Sequence, residues 1–286
     1  MATAGKTTLE IAAGNWRAGV RPGAGGALAS LSHRDNDVLR PMPADSLNPL
    51  DAACFPLVPY CNRIRRGRFA FGGHNVSLAA NHPPERHSLH GLGWQRPWHV
   101  SGLVGASIEL VCDHGGEGWP WPWRATQAFE LDERGLTLTL TLTNTGRETM
   151  PAGIGLHPYF RRWRDSRARF EARAVVLSDI EQLPTGEMED ADNFADWARG
   201  APIPSFTVDN CYARWDGEVT ITDGLGTIFM QAEGARHLHV YAAGNGRDLC
   251  FEPVNHLPDA VNRDDWTMPV LEPGESARVT MRIEER

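Results

Sequence analysis

Leu136-Thr-Leu-Thr-Leu-Thr-Leu-Thr143 is eight residues of strict alternation, leucine at every even position and threonine at every odd one. A period of two places the leucines on one face of an extended chain and the threonines on the other, and β-branched threonine suits a pleated surface. The stretch predicts a strand buried on one face. Asn144-Thr-Gly146 predicts the turn that ends it. Outward from here, further short runs read as strands near Val219 to Thr222, Thr227 to Ala232, His237 to Tyr241 and Ser276 to Ile283. With no linker, repeat or low-complexity tract, the 286 residues predict an all-β fold in a single domain spanning 1-286. One acidic region, Glu181 to Asp196, reads as a mobile surface loop with a short helix near Asn193 to Arg199.

Composition narrows the function classes. The formal net charge of −8 argues against a nucleic-acid partner, which calls for a basic footprint. Five scattered cysteines without a C-x-x-C pair read as reduced thiols. The first ten residues lack an apolar signal core and no apolar run is long enough for a membrane span, so the expectation is a cytoplasmic protein without a membrane partner. Gly5-Lys6-Thr7 lacks the upstream glycine and strand of a phosphate-binding loop and is discarded.

The alternating strand leads by Pro151 into Pro151-Ala-Gly-Ile-Gly-Leu-His-Pro-Tyr-Phe160. Pro158 holds His157 on extended backbone, and Gly153 and Gly155 leave room for close approach beside it. An imidazole fixed in this way is either a general acid or base near neutral pH or a satisfied core histidine. Leu249-Cys-Phe-Glu-Pro253 repeats the arrangement with a carboxylate. Flanking by Cys250 and Phe251 predicts a partly desolvated Glu252 with a raised pKa, still titrating below the imidazole as the reference values do. The bland alternative is an exposed carboxylate at a strand end.

Other stretches carry weaker signals. Arg63 follows a rigid Pro-containing approach behind Asn62 and can fix a donor fork against a polar ligand. Arg65, Arg66 and Arg68 read as a solvated face or, with Arg161 and Arg162, as a phosphate clamp. His82, His87 and His90 with Glu85 invite a metal reading that the Pro83-Pro84 pair and the spacing do not favour. His237, His239 and Tyr241 share one strand face, where the two histidines read as a surface pair more readily than as metal ligands. Trp119, Trp121 and Trp123 offer either an apolar wall for a sugar or base, or core anchors.

The ordered set Asn62-Arg63-Ile64, His90-Gly91, Asn144-Thr145, His157-Pro-Tyr-Phe160, Asp209-Asn210 and Glu252-Pro253 resembles the aldose 1-epimerase (galactose mutarotase) family, from about Asn15 to the last strand. The resemblance implies a galactose-mutarotase-like β-supersandwich with an open sugar-binding cleft, no metal or organic cofactor, and interconversion of the α and β anomers of a free sugar. By position, Glu252 matches the general base, His157 the general acid and His90 a second histidine acting at the ring oxygen. Arg63 and Asp209 match groups that bind sugar hydroxyls, and Asn62, Trp94 and Tyr241 join them as substrate-binding candidates. The expected partner is a small sugar, with the chain a monomer or homodimer. Leu92 and Arg161 depart from the usual pattern, which keeps open a non-catalytic sugar-binding or regulatory protein, while the arginine clamp keeps open a hexose-6-phosphate 1-epimerase.

Overall fold

The computed structural model describes residues 7–286. Met1 to Lys6, including Gly5 and Lys6 of the discarded phosphate-loop match, lie outside them. Among the described residues the only helices are single 3-10 turns, and the chain is built on a nine-stranded and an eleven-stranded sheet. This is the predicted all-β class.

Gly135–Asn144 contains the alternating stretch and sits centrally in the nine-stranded sheet, antiparallel to Trp123–Asp132 on one side and Ser276–Glu285 on the other. Leu136, Leu138, Leu140 and Leu142 are buried and the threonines half-buried. Across the outer face Thr139 and Thr280 hydroxyls meet at 3.2 Å, and Thr143 and Ser276 at 2.8 Å. The leucines join a hydrophobic cluster drawn from both sheets, including Leu238, Val240 and Ala242 of the other one. Trp119, Trp121 and Trp123 belong to this cluster and are not a ligand wall. The reason is registry: Trp123 opens a strand whose alternate residues Ala125, Gln127 and Phe129 are all buried, and Trp119 packs on Tyr60 and Phe69.

The eleven-stranded sheet runs through its centre in the order Ala27–His33, Cys54–Leu57, Gly155–Pro158, Leu249–Val254, His237–Ala242, Val208–Ala213 and Ala174–Ser178. Its edge corrects the loop expectation for Glu181 to Asp196. Pro184–Asp190 is a strand paired with Ala174–Ser178, and its acidic side chains are exposed. Charges on an edge strand discourage pairing with another chain. The helix near Asn193 is reduced to one 3-10 turn at Trp197–Arg199, anchored by Trp197, which donates to the Tyr212 hydroxyl at 2.9 Å.

A second apolar cluster lies on the outer face of this sheet and includes Phe55, Cys61, Trp94, Tyr159, Cys211, Cys250 and Val254. Because Leu238, Val240 and Ala242 point between the sheets, His237, His239 and Tyr241 point to this outer face. The polar groups described next are set into it.

Candidate active site

Antiparallel registry brings the two pre-proline residues together. Gly155 pairs with Val254, and Tyr159 bridges Cys250. His157 and Glu252 lie midway between these pairs and therefore face one another. Pro158 and Pro253 have no N–H to give, so the ladder opens between the bridges. The registry continues on both sides, since His157 pairs with Phe55, Glu252 with His239, and His239 with Cys211. One row across five strands thus reads Phe55, His157, Glu252, His239, Cys211. Two residues along the strands, a second row on the same face holds Tyr159, Cys250, Tyr241 and Asp209.

Nε2 of His157 lies 3.2 Å from Oε1 of Glu252, with both side chains almost fully buried. The rings of Phe55 and Tyr159 lie nearly parallel to the imidazole at 4.5 and 4.7 Å, and His90 meets it edge-on at 5.2 Å. Burial pushes Glu252 up to about 8, against the nearby His239. Burial pushes His157 down to about 3, helped by His239 and Arg40. This reverses the expected order, in which the carboxylate titrated below the imidazole. The cause is desolvation, which penalises the charged form of each group. Between those two values the pair holds one proton, shared across a hydrogen-bonding distance. Nδ1 of His157 is buried and has no protein partner.

His90 enters from a loop above the row. It has φ 58° and is followed by Gly91 at φ 75°. A Cβ on Gly91 would stand 1.9 Å from the Val58 carbonyl oxygen, so only glycine closes this turn. The His90 N–H donates to the Asn62 carbonyl at 2.9 Å, and its Nδ1 accepts from the Asn62 N–H at 3.2 Å. That acceptor role leaves the ring proton on Nε2. Burial, then the charges of His157, Arg63 and His239, hold His90 well below its usual pKa, so it is a neutral donor.

The remaining polar groups form one chain. His239 Nε2 lies 2.7 Å from Asp209, the Asn62 amide lies 3.4 Å from His239, Arg63 lies 3.8 Å from Asp209, and Arg63 Nε donates to Glu85 at 2.9 Å. Burial works against the charge on Asp209, but His239 and Arg63 outweigh it and lower its pKa. Burial likewise works against protonated His239, and the carboxylates of Glu252 and Asp209 outweigh it. His239 is therefore a site residue that the surface-pair reading missed. The H-x-H alternation placed it on the right face, whereas its pairing with Glu252 required the registry of two distant segments.

Other expectations sort clearly. Tyr241 lies half-buried beside Asp209 in the second row. Trp94 is 1 % exposed behind Phe55, with its N–H donated to the Leu89 carbonyl, so it supports the site from below and cannot be a sugar platform. Arg40, not singled out by sequence, lies over the Tyr159 ring at 3.4 Å and pairs with Asp248 at 2.6 Å. His87 is buried and accepts the Arg66 N–H. Among the described residues no group of three or more His, Cys, Asp or Glu side chains converges at metal-binding geometry.

The phosphate clamp is contradicted at two of its residues. Arg161 is buried in ion pairs with Asp223 and Glu285 of the other sheet, at 2.8 and 2.5 Å. Arg162 donates to the carbonyls of Ala243, Pro204 and Asp248. Leu92 donates its N–H to the Val58 carbonyl at 2.7 Å. Of the two departures from the family pattern, the Leu92 side chain packs part-buried against the main apolar cluster and Arg161 is held in buried ion pairs.

Known proteins resemble this chain over nearly its whole length. The family model for aldose 1-epimerase matches residues 8–284. An uncharacterised Escherichia coli K12 protein, YphB, is 32 % identical over 274 residues, covering 91 % of this chain and 93 % of that protein. Mouse galactose mutarotase is 26 % identical over 254 residues, covering 75 % of this chain and 73 % of the mouse protein. The crystal structure of a candidate aldose 1-epimerase from Escherichia coli K12 superposes with a TM-score of 0.91 at 31 % identity, covering 98 % of this chain and 99 % of that one. The chain belongs to the aldose 1-epimerase family, and its architecture is galactose-mutarotase-like.

Proposed function

We propose that this protein is an aldose 1-epimerase that interconverts the α and β anomers of a free aldose. The observation that carries the reading is the 3.2 Å contact of His157 with Glu252, both buried in one row of the sheet. The chemistry suits neighbours and does not need groups on opposite sides of the ring, because the C1 hydroxyl oxygen and the ring oxygen are bonded to the same carbon. Glu252 takes the proton of the C1 hydroxyl while His157 protonates the ring oxygen, and the C1–O5 bonding electrons leave with that oxygen. The product is the open-chain aldehyde. Rotation about C1–C2 and the reverse proton transfers close the ring on the other face.

Opening converts the pair from carboxylate and imidazolium to carboxylic acid and neutral imidazole. That second state is the one burial favours for both groups. Each group contributes on the order of 10²–10⁴-fold. The His90 Nε2–H supplies a donor to the ring oxygen as charge develops there. Arg63, Asp209 and His239 present fixed donors and acceptors for sugar hydroxyls. Polarimetry of freshly dissolved α-glucose, α-galactose, xylose and arabinose tests the reading. Acceleration over buffer for at least one sugar is expected, and none for any of them, nor for a phosphorylated sugar, rejects catalysis. A non-catalytic sugar-binding role is the other reading, and saturable sugar binding by tryptophan fluorescence without acceleration of mutarotation would favour it.

A further inference from the structure

Row by row along the outer face, Ala174, Ala213 and His237 are cross-strand partners. Just beyond these paired positions stand Arg173, Arg214 and Arg236, exposed residues at three adjacent strand ends. Hydrogen bonds confirm the proximity: the Arg173 N–H donates to the Ala213 carbonyl, and the Trp215 N–H to the Arg236 carbonyl. All three arginines line a cavity of about 1060 Å³, whose walls include His237, Trp215, Asn255 and Trp266. The only carboxylate in that lining is Asp265, and Arg263 already takes both of its oxygens, at 2.9 and 2.6 Å.

A chain of net charge −8 thus sets three of its cations around one cavity whose single carboxylate is taken by Arg263, although Arg173 also borders a second cavity with Glu189, Asp190 and Asp192. His237 adds a donor. Its Nδ1 accepts the Arg214 N–H at 3.3 Å, which leaves the ring proton on Nε2. Burial and then the fields of His256, Arg236 and Arg214 lower His237 to about 4, so the ring is neutral in the physiological range. Arg214 itself has φ 55°, a conformation that costs free energy for a residue with a side chain and that recurs where backbone is held for function.

We propose that this cavity binds a phosphate-bearing small molecule, with Arg173, Arg214 and Arg236 as the charged clamp and His237 as a neutral donor at its floor. Planar guanidinium forks match phosphate oxygens, and a shared dianion turns mutual repulsion into attraction. The site is distinct from the acid and base pair. His237 is two residues from His239 on the same strand face, a rise of about 7 Å. A phosphate held there belongs either to a separate ligand or to the distal end of a sugar whose C1 lies at Glu252.

Calorimetric titration with inorganic phosphate and with glucose 6-phosphate, at low ionic strength, tests the proposal on wild type, Glu252→Gln and the double variant Arg214→Ala, Arg236→Ala. Binding is expected to survive Glu252→Gln and to weaken about tenfold or more in the double variant. Phosphate should also raise the melting temperature of the wild type and leave that of the double variant unmoved. Absence of binding by either probe to the wild type, or equal binding by the double variant, overturns the proposal. Mutarotation rates separate the two sources. A double variant that keeps glucose turnover but loses glucose 6-phosphate turnover assigns the phosphate to the substrate, and unchanged turnover of both with lost binding assigns it to a separate ligand. The binding measurement does not depend on whether neutral aldoses are turned over, so its failure leaves the epimerase reading standing.

Discussion

The strand Gly135–Asn144 and the strand pair Gly155–Pro158 with Leu249–Val254 make a useful comparison, because all lie centrally in a sheet and only one is regular. The first pairs over its whole length on both sides, with leucines inward and threonines outward. The second pair joins at Gly155 and Val254 and bridges again at Tyr159 and Cys250, with a gap where the prolines stand. In the regular strand each backbone group is spent on the ladder. The gap in the other leaves two ionisable side chains facing each other while buried, a costly arrangement that chemistry can use.

The largest effects should come from the gap. Glu252→Gln keeps the shape and removes the proton acceptor, so kcat should fall by about 10²–10⁴-fold with little change in KM, as measured by polarimetry. The same substitution should stabilise the fold at high pH. A buried carboxyl raised to about 8 binds more protons folded than unfolded, so its contribution to stability is lost as pH rises through that value. The melting temperature of Glu252→Gln should therefore exceed wild type by an increment that grows from pH 5 to pH 9 and reaches about 5 °C or more. A constant difference would mean that burial does not set the titration of Glu252.

In the regular strand the ranking inverts. Leu140→Ala should cost about 2–5 kcal/mol of stability by leaving a cavity between the sheets, with KM for the sugar unchanged below the melting transition. Loss of sugar affinity without loss of stability would show that the two regions are not separable.

The pH dependence of kcat/KM sharpens the comparison further. The pair holds one proton between about 3 and about 8. The rate should fall above pH ~8 as Glu252 empties the pair, and the acid limb should belong to His157. An alkaline limb that remains in the residual activity of Glu252→Gln would assign it to another group. The smallest effect is reserved for Arg63→Ala, which should raise KM roughly tenfold and lower kcat less, since its contacts to hydroxyls exist in ground and transition states alike.

Much of the site was legible in the sequence because its markers are covalent. A residue before proline is extended whatever surrounds it, which singled out His157 and Glu252 as similar positions. His90 was named through the family resemblance, and the structure supplies the reason glycine follows it, since a Cβ on Gly91 would meet the Val58 carbonyl. Asp209 and Arg63 were named as separate hydroxyl contacts, and the structure joins them through His239. Trp94 went wrong because a tryptophan near a loop glycine looks the same in sequence whether it faces the cleft or, as here, stands behind Phe55.

By itself the sequence determined what local sterics and periodicity control. The alternation of Leu136 to Thr143 required a strand with one buried face, and the pre-proline positions required extended backbone at His157 and Glu252. Only the tertiary structure decided the registry that sets Phe55, His157, Glu252, His239 and Cys211 in one row, the desolvation that reverses the titration order of the acid and base, and the gathering of Arg173, Arg214 and Arg236 at one cavity. The physical reason is range. Backbone sterics act over one or two residues, whereas registry and burial depend on segments up to two hundred residues apart, whose meeting is fixed by how the whole apolar surface packs.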